Sequence, residues 1–170
     1  MALTRRLLAL LALLALLAAT FVVAACGSQT ASPTSGPARL QFTAKTLDGG
    51  GFSGQSLLGK PAVLWFWAPW CSHCQQAAPM VSRVAAANPA VTFVGVAARA
   101  DVPAMRVFVD KYHLGGFTQL ADTDAAVWAK FGVTQQPAYA FVRPDGSVDV
   151  VKGDLPESGL TERVSTLGQR

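Results

Sequence analysis

An unbroken apolar run at residues 62–67 (Ala-Val-Leu-Trp-Phe-Trp) most constrains what this 170-residue chain can fold into. The run has the length of one strand and holds no polar residue, which is typical of a strand buried on both faces of a sheet. A helical pattern over residues 75–87 follows it, and residues 91–96 form a second apolar run. A strand, a helix and a strand in this order predict an α/β fold with a parallel pair at its centre.

The remaining patterns extend this sheet on both sides. Further strands are predicted at residues 40–47, 117–120, 138–142 and 148–152, and further helices at residues 103–112, 124–131 and 156–167. Asp124 is placed to cap the helix that follows it. The parallel beginning and the antiparallel end together predict a mixed central β-sheet flanked by helices.

The N-terminal segment has the pattern of an export signal. Arg5 and Arg6 precede an apolar run over residues 7–23, and small residues then lead to Cys26. A short positive region, an apolar stretch and small residues predict a cleaved secretory signal, although the run approaches the ~18 residues that a transmembrane anchor needs. The sequence Val-Ala-Ala-Cys at residues 23–26 resembles the bacterial lipoprotein signal, which implies lipidation of Cys26.

These features divide the chain into three parts. Residues 1–25 are predicted to be the lipoprotein signal peptide, residues 26–37 a flexible tether that carries the lipidated cysteine, and residues 38–170 one globular domain. The domain is then expected at the outer face of the cytoplasmic membrane, attached through its lipid anchor only.

Charge and cysteine content exclude several classes of protein. The formal net charge is +4, and Arg5 and Arg6 supply two of the 14 basic residues, which leaves 12 against 10 acidic ones. These charges are scattered singly, whereas a nucleic-acid surface needs a clustered basic face. Three cysteines are too few for a disulfide scaffold, so the core must be hydrophobic.

The chemistry-bearing motif is Cys71-Ser72-His73-Cys74, at the junction of the apolar strand with its helix. Two cysteines three residues apart at a helix start lie on one side of the first turn and can form a small disulfide. The free N–H groups and the dipole of the helix favour a thiolate at Cys71. The motif therefore predicts a reversible dithiol–disulfide couple.

Two other interpretations of the motif are weaker. An inert disulfide staple across three residues would constrain very little chain. A zinc site would need four ligands, and only Cys71, Cys74, His73 and His113 are available, without a second paired motif. Neither a metal nor a cofactor is expected.

Residues 66–74 (Phe-Trp-Ala-Pro-Trp-Cys-Ser-His-Cys) resemble the active site of the thioredoxin family, and Gln136-Pro137 before a strand resembles that fold's cis-proline loop. An extra helix and strand between residues 91 and 136 resemble the extracytoplasmic TlpA- and ResA-like subgroup, in particular the secreted mycobacterial DsbE and DsbF types. The resemblance extends over about residues 40–167 and implies a thioredoxin fold with a helix–strand insert before the cis-proline loop.

The resemblance implies a role for each residue of this region. Cys71 would carry the sulfur that a substrate thiolate attacks, and Cys74 would be its more buried partner. Pro137 would be cis, so that the backbone of Gln136 can pair with an extended substrate. Trp70, beside the first cysteine, would form part of the exposed substrate surface.

The two residues between the cysteines, Ser72 and His73, are expected to tune the couple. His73 could donate a hydrogen bond or, when protonated, place a positive charge beside the Cys71 thiolate. We therefore expect His73→Ser to make the couple more reducing by about tens of millivolts.

The predicted function is a thiol–disulfide oxidoreductase that acts on cysteine-containing exported proteins and is recharged by a membrane redox partner. An oxidase that forms disulfides is favoured, because Trp65 stands where thioredoxin has a buried carboxylate that assists reduction. The alternatives are a reductase supporting cytochrome c maturation, a peroxiredoxin-like peroxidase and a binding lipoprotein without activity. Ala68 argues against the peroxidase, since peroxiredoxins carry Thr three residues before the reactive cysteine.

Overall fold

The computed structural model describes residues 36–168, which form seven strands and five α-helices. The strands are β1 (Thr43–Thr46), β2 (Gly51–Ser53), β3 (Ala62–Trp67), β4 (Thr92–Ala97), β5 (Thr118–Ala121), β6 (Ala138–Val142) and β7 (Val148–Lys152). The helices are α1 (Gly36–Arg39), α2 (Ser72–Ala87), α3 (Val102–Lys111), α4 (Ala126–Lys130) and α5 (Glu157–Thr166). All seven strands join one mixed sheet in the order β2-β1-β5-β4-β3-β6-β7, which confirms the predicted α/β fold.

Strand β3 lies inside the sheet, as its continuous apolar sequence predicts. It pairs in parallel with β4, where Trp65 lies beside Gly95, and antiparallel with β6, where Trp65 lies beside Tyr139. All six residues of β3 are buried. Because successive strand residues point to opposite faces, this one strand contributes to the hydrophobic core on both sides of the sheet.

The two faces of the sheet carry separate apolar cores. Trp65 and Trp67 of β3 belong to the core beneath α2, α3 and α5, and that core also contains Cys74. Phe66 belongs to the opposite core, where Trp128 of α4 meets it edge to face. The burial that the apolar run predicts for Trp65 and Trp67 is confirmed, since both are fully buried, and Trp128 is only 1% exposed.

The predicted helix–strand insert is present between β4 and the cis-proline loop. It consists of α3 and β5, and β5 pairs in parallel with β4 and antiparallel with β1. The Asp101 carboxylate caps α3 by accepting a hydrogen bond of 2.9 Å from the amide of Ala104. The insert therefore widens the sheet at β4 and places a helix beside the end of β3.

The structure departs from the predicted elements near the beginning of the domain. The predicted strand over residues 40–47 is shortened to β1, and residues 51–53 form a second strand that pairs with it as a hairpin. A short helix, α1, occupies residues 36–39, where the tether was expected to end. These elements are three or four residues long, too short for their sequence period to be distinctive.

Capping of α4 also differs in detail from the prediction. Asp124 accepts only a 3.3 Å hydrogen bond from the amide of Ala126. The buried Asp122 accepts two shorter bonds, 3.0 Å from the Val127 amide and 2.9 Å from the Trp128 amide. Burial raises the pKa of Asp122, and the two amide bonds partly offset that rise. Asp122, rather than the predicted Asp124, is therefore the main capping residue of α4.

None of the helices within residues 36–168 is both long and apolar enough to cross a membrane. The predicted signal peptide, Cys26 and almost all of the predicted tether lie outside the described residues.

Candidate active site

Cys71 stands at the N-terminus of α2, directly after the turn that follows β3. Its own amide donates a 3.1 Å hydrogen bond to the carbonyl of Ala68, which closes that turn. Cys71 is the N-cap residue, and its sulfur accepts a 3.2 Å hydrogen bond from the amide of Cys74. A helix N-terminus leaves such amides without partners inside the helix, so the Cys71 sulfur takes the place of a capping oxygen.

The two cysteines differ in their access to solvent. Cys71 is 6% exposed and Cys74 is fully buried, and both carry free thiols. Burial raises the pKa of Cys74 well above its ordinary value, and its hydrogen-bonded neighbour Cys71 raises it further. Cys71 is therefore the only sulfur of the pair that reaches the surface, and burial disfavours the thiolate of Cys74.

The tertiary structure brings the predicted cis-proline loop to this pair. The Gln136–Pro137 peptide bond is cis, which confirms the expectation. The Cys71 thiol points to the carbonyl of Gln136, with the sulfur and the oxygen 3.9 Å apart. Residues 65 positions apart in the sequence thus flank one surface.

Trp70 is 56% exposed beside Cys71, which confirms its expected exposure. Its indole N–H donates a 2.9 Å hydrogen bond to the carbonyl of Arg99, which fixes the ring against the beginning of the insert. A groove of about 390 Å³ runs from Trp70 to the outer face of α3, where Val107 is 66% exposed. An apolar surface therefore borders the cysteine pair on the side of the insert.

His73 contacts Asp154, a residue that was not predicted from the sequence. Its Nδ1 lies 2.8 Å from a carboxylate oxygen of Asp154, in the connection between β7 and α5. Both side chains are about 60% exposed, at 59% and 62%. Ser72, the first residue of α2, is exposed. No sequence signal marks Asp154, because its contact with the motif spans 81 positions and depends on how the sheet is ordered.

A second unforeseen residue, Tyr139, lies in the same apolar core as Cys74. Its hydroxyl is buried, and residues 36–168 offer it no hydrogen-bond partner. Burial raises the pKa of Tyr139, with smaller contributions from negative charge on Cys74 and Asp154.

The part of the chain that is described contains no group of three His, Cys, Asp or Glu side chains able to hold a metal ion.

Comparison with known proteins gives consistent results. The AhpC/TSA family model matches residues 36–151. The chain is 55% identical over 132 residues to "Soluble secreted antigen MPT53" of Mycobacterium tuberculosis, with 76% of each chain covered. It is 67% identical to a solved structure of MTB dsbF in mixed oxidized and reduced forms, with a TM-score of 0.77 and coverage of 78% of this chain and 98% of that one.

A second solved structure, of a secreted Mycobacterium tuberculosis disulfide oxidoreductase homologous to E. coli DsbE, is 55% identical. Its TM-score is 0.73, and the match covers 76% of this chain and 98% of that chain. The thioredoxin fold inferred from the residues around Cys71 is thereby confirmed.

Proposed function

The chain belongs to the AhpC/TSA family and is a thioredoxin-fold thiol–disulfide oxidoreductase, and we propose that it oxidises exported proteins through a Cys71–Cys74 disulfide. Its relatives are named a secreted antigen and a secreted disulfide oxidoreductase, so we place this chain outside the cytoplasm as well. Its clients would be exported chains with free cysteines.

The proposed reaction proceeds by two thiol–disulfide exchanges. A client thiolate attacks the Cys71 sulfur, the Cys71–Cys74 bond breaks, and Cys74 leaves as a thiolate that takes up a proton. A second client thiolate then attacks the client sulfur of the mixed disulfide, and Cys71 leaves. The client loses two electrons and gains a disulfide, while the enzyme becomes a dithiol. A disulfide on a membrane redox partner would accept those two electrons and restore the oxidised enzyme.

The burial of Cys74 is the observation that favours the oxidase direction. A mixed disulfide between Cys71 and a client can be resolved by the client's second thiol or by Cys74. Attack by Cys74 needs its thiolate, and burial together with the Cys71 contact raises its pKa. Trp65, fully buried in β3, offers no carboxylate to remove the proton. Resolution by the client's second thiol is then favoured, and the client leaves with a disulfide.

The loop at Gln136 and the ring of Trp70 would hold the client at Cys71. Pro137 has no N–H and Gln136 lies beside the Cys71 thiol, so an extended client segment could pair with the Gln136 backbone. Trp70, next to Cys71 in the chain, exposes an aromatic surface, and aromatic side chains contribute much of the energy at protein interfaces.

Direction is tested by adding stoichiometric oxidised protein to a reduced, unfolded client such as ribonuclease. We expect client disulfides to form and the protein to become a dithiol, with a Cys71–Cys74 reduction potential above that of glutathione. Preferential reduction of insulin by the dithiol form, with a potential well below glutathione, would instead establish a reductase. Consumption of peroxide without any added dithiol would identify a peroxidase.

We also propose that the mature protein is anchored through lipidated Cys26, on the basis of the residues that precede it. Cys26→Ala is expected to release the protein from the membrane fraction or to leave its signal uncleaved, because no sulfur remains for the lipid. The matched control is Ser28→Ala, two residues further along. The proposed anchor is wrong if Cys26→Ala is cleaved and stays in the membrane fraction like the control.

A further inference from the structure

We propose that Asp154 is a positioning residue of the redox site, which holds His73 through Nδ1 and thereby makes the Cys71–Cys74 couple more oxidising. The inference concerns the site of the proposed function and rests on a working Cys71–Cys74 couple. It depends first on one contact, the 2.8 Å approach of the Asp154 carboxylate to His73 Nδ1.

The fold keeps Asp154 at this place through backbone contacts. The amide of Gly153, its immediate neighbour, donates a 2.8 Å hydrogen bond to the carbonyl of Pro137. The residue before Pro137, Gln136, receives the Cys71 thiol on its own carbonyl. The cysteine motif, the cis-proline loop and the segment that carries Asp154 are therefore linked in a ring. Asp154 completes this ring by its contact with His73, one of the two residues between the cysteines.

The contact determines what the His73 ring can do. Because a carboxylate cannot donate a hydrogen bond, its 2.8 Å approach favours the ring forms that carry a proton on His73 Nδ1. In the neutral ring the other nitrogen, Nε2, is then an acceptor and cannot donate to a thiolate. His73 can favour the Cys71 thiolate only through the positive charge of its imidazolium, and a carboxylate beside Nδ1 holds that ring in one orientation, as in catalytic triads.

A direct effect of the Asp154 charge on the cysteines opposes this one. Burial, more than any charge, raises the pKa of Cys74, and Asp154 is the smallest of the contributions. The Asp154 carboxylate lies 2.8 Å from His73 Nδ1, whereas it acts on Cys74 only through space. We therefore expect the effect through His73 to exceed the direct one. Because both side chains of the pair are more than half exposed, solvent screening limits the effect to a severalfold change.

The test is a double-mutant cycle on the equilibrium with glutathione, measured for wild type, Asp154→Asn, His73→Ser and the double variant. Each single variant should shift the equilibrium about fivefold towards a more reducing couple, which is about 20 mV. The double variant should shift no further than the larger single change. Asp154→Glu should restore most of the wild-type value.

The matched control is Asp149→Asn, which removes a half-exposed carboxylate from β7, the strand that precedes Asp154; this carboxylate is paired with Arg163 of α5 at 2.7 Å. It should leave the equilibrium unchanged, and so exclude a general effect of charge or of strand stability. The proposal would be overturned if Asp154→Asn left the equilibrium with glutathione unchanged. It would also be overturned if the shift of the double variant equalled the sum of the two single shifts. These differences between variants are independent of the absolute wild-type potential, which alone decides between oxidase and reductase.

Discussion

Cys74→Ser is expected to accumulate mixed disulfides with clients, whereas Cys71→Ser is expected to lose thiol–disulfide exchange by about three orders of magnitude or more. In Cys74→Ser, the Cys71 thiolate attacks a client disulfide and one client sulfur leaves. Residue 74 has no sulfur to displace the bound client, so the mixed disulfide persists once alkylation blocks the released client thiol. In Cys71→Ser the remaining sulfur is fully buried, so no client can reach it. Non-reducing electrophoresis after alkylation measures the adducts directly.

The two variants control for each other, because each keeps one cysteine and replaces the other by serine, which has a similar shape. Comparable thermal stability of both should be established first, since Cys74 is part of the apolar core. If both variants trap clients to the same extent, or if Cys71→Ser alone does so, the assignment of roles to the two cysteines is wrong.

Gly95→Ala should produce the largest loss of stability among the substitutions considered. A Cβ at residue 95 would lie 1.8 Å from Oε1 of the buried Gln119 and 2.9 Å from Nε1 of Trp67. Gln119 cannot turn away freely, because it accepts a 3.3 Å hydrogen bond from Trp67 and donates a 3.0 Å bond to the Leu114 carbonyl. Overpacking and unpaired buried polar groups each cost about 1–3 kcal/mol, so we expect a loss of about 3 kcal/mol.

Denaturant unfolding of the reduced protein measures this loss, with the cysteines kept reduced so that a single transition is observed. The matched control is Gly116→Ala, because a Cβ there meets no heavy atom within 4 Å. The control should change the free energy of unfolding by less than about 0.5 kcal/mol. Equal midpoints for the two alanine variants would contradict the tight packing of Gln119 across β4.

The core of the sheet could be predicted from sequence because its strands have distinctive patterns. Residues 62–67 are all apolar, and such a run has few places in a fold other than a buried strand. The position of Cys71 at a helix start could be predicted as well, because a helical pattern begins shortly after this apolar run. The cis bond at Pro137 was expected only through the resemblance to a family, since the local sequence gives a proline no strong preference for cis.

The predictions that failed have two physical causes, the shortness of some elements and the burial of one side chain. Strand β2 and helix α1 are three and four residues long, so a hydrophobic period cannot be recognised in them. The choice of Asp122 over Asp124 as the main cap of α4 depended on burial. Only the folded chain places Asp122 beneath the amides of Val127 and Trp128.

The sequence by itself determined the α/β class, the cysteine pair at the start of a helix, the helix–strand insert and the lack of a carboxylate at residue 65. These properties depend on neighbouring residues and on short periods. The tertiary structure alone decided that Asp154 meets His73, that Tyr139 shares a core with Cys74, and that Gln136 faces the Cys71 thiol. These contacts join segments 65 or more positions apart, and the order and register of strands β3, β6 and β7 bring them together.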